Sequence, residues 1–308
     1  MKISYISAVA LGLLALPAAA KAPDVVTDFQ ITGALVQEVM GDLGRVEVLL
    51  PAGADAHDYQ LRPSQARSLQ NAGLTVWVGP AFAPWMERAV HSAAQGGESL
   101  ALLNVEGTFQ LPIGDAAHEH EHEHDGHEHE HEHDHGPIDP HAWLAPQNAQ
   151  LWLSVIAAEL GRIDPDNAAA YSANAEAASA RIETLGTDLQ TTLEPLKGRN
   201  FVVQHDAYRY FTHAFGLNDA IAVTLSDASA PSAAALRKIS DELADLQVIC
   251  AFPEVNHDDR LLRAAIEGTD VRLGAPLDPE GSRVEAGSDL YARMLSALAQ
   301  NLADCMKG

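Results

Sequence analysis

Leu74-Thr-Val-Trp-Val-Gly-Pro80 is the stretch that decides the fold of this chain. Its first five residues are apolar or β-branched and predict a buried strand, which Gly79 and Pro80 end. A helix is expected to follow over residues 82–94. A strand followed closely by a helix is typical of a parallel sheet, because parallel neighbours need a crossover connection.

The same alternation extends in both directions from this stretch. Before and after it, strands are expected at residues 24–28, 46–50 and 100–104, with helices at 31–41 and 63–71. It restarts after residue 200, with strands at 201–204, 220–224, 246–252 and 271–273 and helices at 208–215, 232–245, 258–268 and 288–306. We therefore predict an α/β protein with two lobes, each a parallel sheet flanked by helices.

A long helix is expected between the two sets of strands. After a helix over residues 146–161, Asp164 and Pro165 are typical of a helix start, and Pro195 and Gly198 of a helix end. At 1.5 Å per residue this segment spans about 45 Å and predicts a rigid linker. The expected domains are an N-terminal lobe over residues 21–163, the linker helix over 164–197 and a C-terminal lobe over 198–308.

The first twenty residues have the pattern of a secretory signal. Lys2 precedes a mostly apolar run, and Pro17-Ala-Ala-Ala20 offers small residues for cleavage after residue 20. An uncleaved membrane anchor is the alternative. No other segment is apolar and long enough to cross a membrane, so we expect a periplasmic protein with no direct membrane insertion after signal cleavage.

Cys250 and Cys305 are the only cysteines of the chain. Export to an oxidising compartment favours a disulfide between them. Two buried thiols are the alternative. A metal site built on this pair is disfavoured, because the two residues lie far apart and form no CxxC motif.

The formal net charge is −24, with 43 acidic and 19 basic residues. This charge makes nucleic acid and anionic membrane surfaces poor partners and suits a cationic ligand, although solubility alone accounts for most of it.

A histidine-rich insertion over residues 115–137 interrupts the α/β pattern. Nine of the fifteen histidines alternate there with Glu and Asp, at His118, His120, His122, His124, His127, His129, His131, His133 and His135. Imidazole is a common ligand of zinc, and the flanking carboxylates attract cations. The segment from residue 118 to 135 contains no apolar side chain, so we expect the insertion to be disordered without metal and to act as an auxiliary weak metal site.

Three histidines outside the insertion lie near predicted strand ends or in Asp-flanked loops: His57, His141 and His205. Ligands of open α/β sheets bind at the carboxyl ends of strands. Metal-bound imidazole also needs its second nitrogen bonded to a carboxylate or carbonyl, and Asp58, Asp139 and Asp206 stand beside the three histidines in sequence. Glu254, just after the strand at residues 246–252, is a further candidate for that supporting role.

Four segments together carry a family resemblance. They are His57-Asp-Tyr-Gln-Leu-Arg-Pro-Ser64, Leu74-Thr-Val-Trp-Val-Gly79, Asp139-Pro-His-Ala-Trp-Leu144 and His205-Asp-Ala-Tyr-Arg-Tyr-Phe211. In this order they resemble the metal receptors of ABC importers, most closely the periplasmic zinc-binding branch, over essentially the whole mature chain.

This resemblance implies a monomeric receptor, not an enzyme, that holds Zn²⁺ between two lobes and delivers it to a membrane permease. It implies His57, His141 and His205 as ligands, and it supports the disulfide between Cys250 and Cys305. Manganese members of the family have a carboxylate where His205 stands, and imidazole independently favours zinc.

The fourth ligand is left open by the sequence. The resemblance implies an acidic residue in a late Leu-Asp-Pro loop, here Asp278, although an ordinary turn carboxylate would look the same. Some zinc members carry Glu directly before the first histidine, but this chain has Ala56 there. The remaining ligand is therefore Asp278 or water, and a tetrahedral zinc site accepts either. The other histidines, His91, His213 and His257, are expected on the surface or in packing.

Three other functions fit parts of the sequence. Three histidines with an open position also suit a zinc hydrolase, but the chain has no HExxH motif. A metal-storage or adhesion protein would use mainly the insertion. A receptor of the same fold for manganese or nickel is the third alternative.

Overall fold

The computed structural model describes residues 22–54, 59–93, 97–113, 138–224 and 232–307. The predicted signal peptide, the histidines of the insertion and His57 all lie outside these residues. In the described part, no helix combines the length and the apolar character needed to cross a membrane.

Two all-parallel sheets of four strands form the framework of the described residues, as the sequence predicts. The first has the strand order β2-β1-β3-β4, with β1 Val25–Thr27, β2 Val46–Val48, β3 Leu74–Trp77 and β4 Glu98–Ala101. The second has the same kind of order, β6-β5-β7-β8, with β5 Phe201–His205, β6 Ile221–Thr224, β7 Cys250–Phe252 and β8 Arg272–Leu273. In each sheet the first strand in sequence is central, so its carboxyl end is flanked by two other strand ends.

The helices of the described part cover these sheets. They are α1 Gln30–Met40, α2 Pro63–Asn71, α3 Pro84–Ala93, α4 Pro146–Ile163, α5 Ala168–Leu193, α6 Arg209–Phe215, α7 Ala233–Asp245, α8 Arg260–Ile266 and α9 Leu290–Met306. Each predicted helix is present in the predicted order. In α9 the buried side chains recur at intervals of three and four residues, as at Tyr291, Met294 and Leu298, which is the spacing of one helix face.

The long helix α5 lies between the two sheets in sequence and packs against α1, α4 and α9. It has 26 residues, or about 39 Å at 1.5 Å per residue. It is shorter than predicted, because 3₁₀ turns occupy Pro165–Asn167 and Glu194–Leu196 at its two ends. Asp164 makes no side-chain cap bond, since its carboxylate accepts bonds from Asn167 and Tyr171 instead.

Most strands differ from their predicted bounds, and β7, β4 and β2 differ most. β7 begins at Cys250 and not at residue 246, because the amides of Leu246 and Gln247 still bond to carbonyls at the end of α7. β4 begins at Glu98, which pairs with Leu74, and ends at Ala101, where a 3₁₀ turn buries Leu102 and Leu103. The apolar run at residues 100–104 is therefore divided between a strand and a turn. β2 ends at Val48, although the next two backbone amides still bond to the carbonyls of Thr27 and Asp28 at the end of β1.

The predicted disulfide is confirmed. It joins Cys250 of β7 to Cys305 of α9, with the two Cα atoms 6.2 Å apart. The bond ties the last helix to a strand of the second sheet, two residues before that strand ends at Phe252.

The segment around His141 is bonded to the second half of the chain at several points. The indole N–H of Trp143 donates to the carbonyl of Pro279 at 2.8 Å, and the Tyr291 hydroxyl donates to the carbonyl of Trp143 at 2.8 Å. The Tyr210 hydroxyl donates to the carbonyl of Asp139 at 2.9 Å. All of these donor side chains are buried, and one continuous apolar core includes residues of both halves.

Candidate metal centre

His205 is the last residue of the central strand β5, and every residue of that strand is buried. β5 and β7 are parallel neighbours in a register that pairs Val203 with Phe252. His205 lies two residues after Val203, and Glu254 lies two residues after Phe252. Their side chains meet, with His205 Nδ1 2.7 Å from Glu254 Oε2.

His141 lies in the loop before α4, next to its own carboxylate. An antiparallel bridge between Pro112 and Ile138 fixes the start of this loop, and Asp139 donates its backbone amide to the carbonyl of Leu111. The Asp139 Oδ1 atom then lies 2.7 Å from His141 Nδ1 and 3.0 Å from the His141 backbone amide. One carboxylate oxygen thus fixes both the backbone and the ring of His141.

The two histidines face each other. His205 Nε2 and His141 Nε2 are 3.4 Å apart, and we call these two residues the inner pair. With zinc–nitrogen bonds of about 2.0–2.1 Å at a tetrahedral angle, two imidazole nitrogens on one ion are separated by about 3.3–3.4 Å. The observed separation therefore matches one edge of a tetrahedral zinc site.

The carboxylates also determine which ring nitrogens are available. Because a carboxylate only accepts hydrogen bonds, Asp139 and Glu254 assign the ring proton of each histidine to Nδ1. The Nε2 lone pairs then point toward each other, and a cation between them relieves their repulsion. The four side chains are 4–6% exposed, so little water competes for these positions.

The surroundings of the inner pair favour positive charge. The Asp139 Oδ2 atom is buried and accepts no hydrogen bond from the described residues. Asp206 lies nearby, and burial, followed by repulsion from the Asp139 carboxylate, raises the pKa of Asp206. Two buried carboxyl groups beside two imidazoles form a binding environment for a divalent cation.

The sequence expectations about supporting carboxylates are confirmed in two cases and changed in one. Asp139 holds His141, and Glu254 holds His205, as the sequence allowed. Asp206, the sequence neighbour of His205, does not take its Nδ1 proton, because Glu254 occupies that position. Asp58 lies outside the described residues.

Asp278 lies in the Leu277-Asp-Pro279 segment, at the start of a turn that its side chain stabilises. Its Oδ1 accepts bonds from the amide and hydroxyl of Ser282 at 2.8 and 3.1 Å, and its Oδ2 accepts a bond from the Arg283 amide at 2.7 Å. It also lines a cavity that Glu254 and His257 share. Both oxygens stabilise the turn; Oδ1 uses both of its lone pairs there, whereas Oδ2 retains one that a metal ion can use.

His257 has a position that the sequence did not predict. Its side chain is 25% exposed and its Nε2 lies 3.6 Å from Glu254 Oε1, so it is not an ordinary surface residue. The ring centroids of His257 and His205 are 6.2 Å apart. Little in the sequence indicates this position, because His257 lies five residues after β7 in a loop without apolar periodicity.

Two aromatic residues pack around the inner pair, and His213 makes a separate ring contact. The Trp143 ring lies 5.3 Å from that of His141, and the Tyr208 hydroxyl donates to Glu254 Oε2 at 3.2 Å. His213 lies against Phe109, with ring centroids 4.7 Å apart, and is exposed at its outer side.

The described residues bring together two of the three predicted histidine ligands. His57 lies outside the described residues, between Ala54 and Tyr59, and stays a prediction. Within the ranges that the structure describes, no group of three His, Cys, Asp or Glu side chains converges on one ion position. The inner pair and its two carboxylates are therefore the part of the centre that the geometry defines.

Comparison with known proteins agrees with this geometry. The chain matches the family described as zinc-uptake complex component A, periplasmic, over residues 25–305. It is 54% identical to the high-affinity zinc uptake system protein ZnuA of Paracoccus denitrificans, covering 98% of each chain. It is 33% identical to the protein of the same description from Brucella abortus, covering 92% of this chain and 91% of that one.

Solved structures share the fold. A crystal structure described as ZnuA superimposes with a TM-score of 0.76 at 26% identity, covering 92% of this chain and 99% of the other. A mutant of the laminin-binding adhesin of Streptococcus agalactiae gives a TM-score of 0.77 at 23% identity, with coverage of 92% and 99%. At that lower identity, the likeness extends to the fold only.

Proposed function

The chain belongs to the zinc-uptake complex component A, periplasmic, family, and we propose on this premise that it is the zinc-capturing receptor of an ABC importer. It binds Zn²⁺ between the two sheets and delivers it to a membrane permease. Capture and delivery need no covalent chemistry, so the protein has no catalytic role. The observation that carries this proposal is the inner pair, whose Nε2 atoms are 3.4 Å apart.

The geometry of the inner pair supports zinc as the cargo. Imidazole suits zinc better than it suits the oxygen-preferring ions, and each ring is supported by a carboxylate on its second nitrogen. Manganese or nickel, bound by a receptor of the same fold, is the alternative cargo.

We assign four ligand positions to the tight site. His141 and His205 supply two of them from opposite halves of the chain, and His57 supplies the third. Asp278 or water completes the tetrahedron. The hydrogen bonds of Asp278 favour it as a ligand, because they hold its side chain in the cavity that Glu254 also lines, without using all of its lone pairs.

The insertion collects zinc weakly and buffers it or passes it to the tight site. In support, the bridge between Pro112 and Ile138 brings both flanks of the insertion together three residues before His141. A surface loop that merely tolerates extra length is the alternative. We further propose that residues 1–20 direct export of the protein, which the family's description as periplasmic supports. We also propose that it functions as a monomer.

The test compares His141→Ala, His205→Ala and the triple variant with His57→Ala, using His91→Ala as the matched control. His91 is exposed on α3 and bonds only to the carbonyl of Glu87 among the described contacts. Zinc titration against a competing chelator should show that each site variant loses the tight site while the control keeps it.

Growth of a strain lacking this receptor, in medium with a zinc chelator, gives the second measurement. The control should restore growth and the triple variant should not. A triple variant that restored growth would contradict the receptor role and favour storage by the insertion. Competition with manganese and nickel on protein lacking residues 118–135 tests the choice of metal.

A further inference from the structure

A cavity of about 200 Å³ is lined by Glu254, the carboxylate that holds His205. Among the other lining residues, the proposed function assigns a role only to Asp278. Gly53 and Ala54 of the first half line one side, and the turn carrying Glu254, Asn256 and His257 lines another. A cavity of this volume and polar lining has room for several waters.

One carboxylate connects this cavity to the inner pair. Glu254 Oε2 accepts the Nδ1 proton of His205 at 2.7 Å, while Glu254 Oε1 faces His257 Nε2 at 3.6 Å. We call Glu254 Oε1 and His257 Nε2 the outer pair. Glu254 is 4% exposed and His257 is 25% exposed, so the outer pair lies between solvent and the buried centre.

The spacing of the outer pair fits a metal ion better than a hydrogen bond. A nitrogen–oxygen hydrogen bond spans about 2.7–3.2 Å, and 3.6 Å is too long for one. A tetrahedral zinc ion with one imidazole and one carboxylate ligand separates the two atoms by about 3.4 Å. The outer pair needs to close by only a few tenths of an ångström to hold zinc.

The backbone around His257 is built to present this ring. Asn256 adopts a left-handed conformation, with a φ of 64°. Asn is among the few residues that tolerate this region. Its side chain donates to Ser282 Oγ at 2.6 Å and accepts from Arg283 Nε at 3.1 Å, which joins this turn to the one that Asp278 stabilises. Asn256 therefore fixes the turn that carries His257 against the neighbouring turn.

We propose that the outer pair is a transient zinc site, where the arriving ion exchanges its first waters for His257 and Glu254 before it reaches the inner pair. This inference rests on the proposed function. Two protein donors hold zinc weakly, because a tight site needs three or four. Exchanging waters in two steps lowers the barrier for both capture and release, so the outer pair changes rates and leaves equilibrium affinity unchanged.

The experiment measures zinc binding and release by the full chain in a stopped-flow instrument. Tryptophan fluorescence reports occupation of the cleft, because Trp143 lies 5.3 Å from His141 and the insertion contains no tryptophan. His257→Gln should slow both association and dissociation by about 3- to 10-fold, since each 1.36 kcal/mol in a barrier is a factor of about ten in rate. His257→Glu restores a zinc donor and should restore both rates, and His91→Gln is the matched control.

Three outcomes would overturn the proposal. Wild-type rates in His257→Gln would remove the transient role, and rates still slow in His257→Glu would make the effect one of packing. Faster release with weaker affinity would place His257 in the bound state instead. If His257→Gln does not fold, His257→Asn replaces it. Failure of the proposed function itself is distinguishable, since the wild-type protein would then show no tight zinc binding at all.

Discussion

Replacing Glu254 by Gln is expected to weaken zinc binding by the tight site by about 10- to 100-fold, the usual effect of losing a supporting carboxylate. The substitution preserves the size of the side chain and removes its charge. Glu254 Oε2 is the acceptor for His205 Nδ1 at 2.7 Å, and both side chains are 4% exposed. The amide can still accept one bond, but it polarises the imidazole less.

The size of the effect follows from these contacts. A buried hydrogen bond to a charged group contributes about 1.5–3 kcal/mol. At about 1.4 kcal/mol per factor of ten, a 10- to 100-fold loss corresponds to about 1.4–2.8 kcal/mol. The two ranges overlap, so removing the charge from this one acceptor accounts for the expected change.

The assay is equilibrium competition between the protein and a chromophoric chelator, read by absorbance and by tryptophan fluorescence. Glu194→Gln is the matched control, because it removes the same charge from an exposed residue that pairs with Lys197 after α5. The control should bind zinc as the wild type does. A change of less than about threefold in Glu254→Gln would refute the argument, since it would be smaller than any loss expected for a supporting carboxylate.

Three further outcomes are expected. Deleting residues 118–135 should remove the weak zinc equivalents in calorimetry and keep one tight site; loss of the tight site would contradict the separate roles assigned to the insertion and the cleft. Burial raises the pKa of Asp28 from 3.8 to about 6, so the folded state binds a proton more readily than the unfolded state. The stability of the zinc-free protein should therefore fall by up to about 3 kcal/mol as the pH rises from about 4 to 7, at about 1.36 kcal/mol per unit. Chemical denaturation of Asp28→Asn across this range should lack that slope, and an identical slope would show that other groups cause it. The double variant Cys250→Ser and Cys305→Ser opens a loop of 55 residues, for which chain entropy gives about 4 kcal/mol of lost stability. Denaturation should detect this loss, whereas an unchanged midpoint would show that the packing of α9 alone sets the stability.

Much of the fold was predictable because local patterns carry it. Short β-branched runs alternate with amphipathic helices, and this alternation predicts parallel sheets without knowledge of any contact. The bounds of β4 and α5 were less predictable, since the 3₁₀ turns at their ends depend on which side chains are buried by neighbours. The apolar residues Leu102 and Leu103 fit a strand equally well until β3 sets the register.

The candidate site was predictable to the level of residue type. His141 and His205 stand in Asp-flanked positions that suggest metal binding, and the two cysteines suggest a disulfide once export is assumed. Adjacency in sequence gave the right carboxylate for His141, because Asp139 is two residues away and the loop turns back on itself.

The sequence by itself determined the element order, the two sheets and the candidate histidine ligands. Only the tertiary structure decided which carboxylate supports His205 and that His257 faces the same group. The reason is the parallel sheet: its crossover connections bring the ends of β5 and β7 together although Glu254 is 49 residues from His205. No periodicity or local spacing along the chain encodes such a contact, because it arises from the order of strands in the sheet.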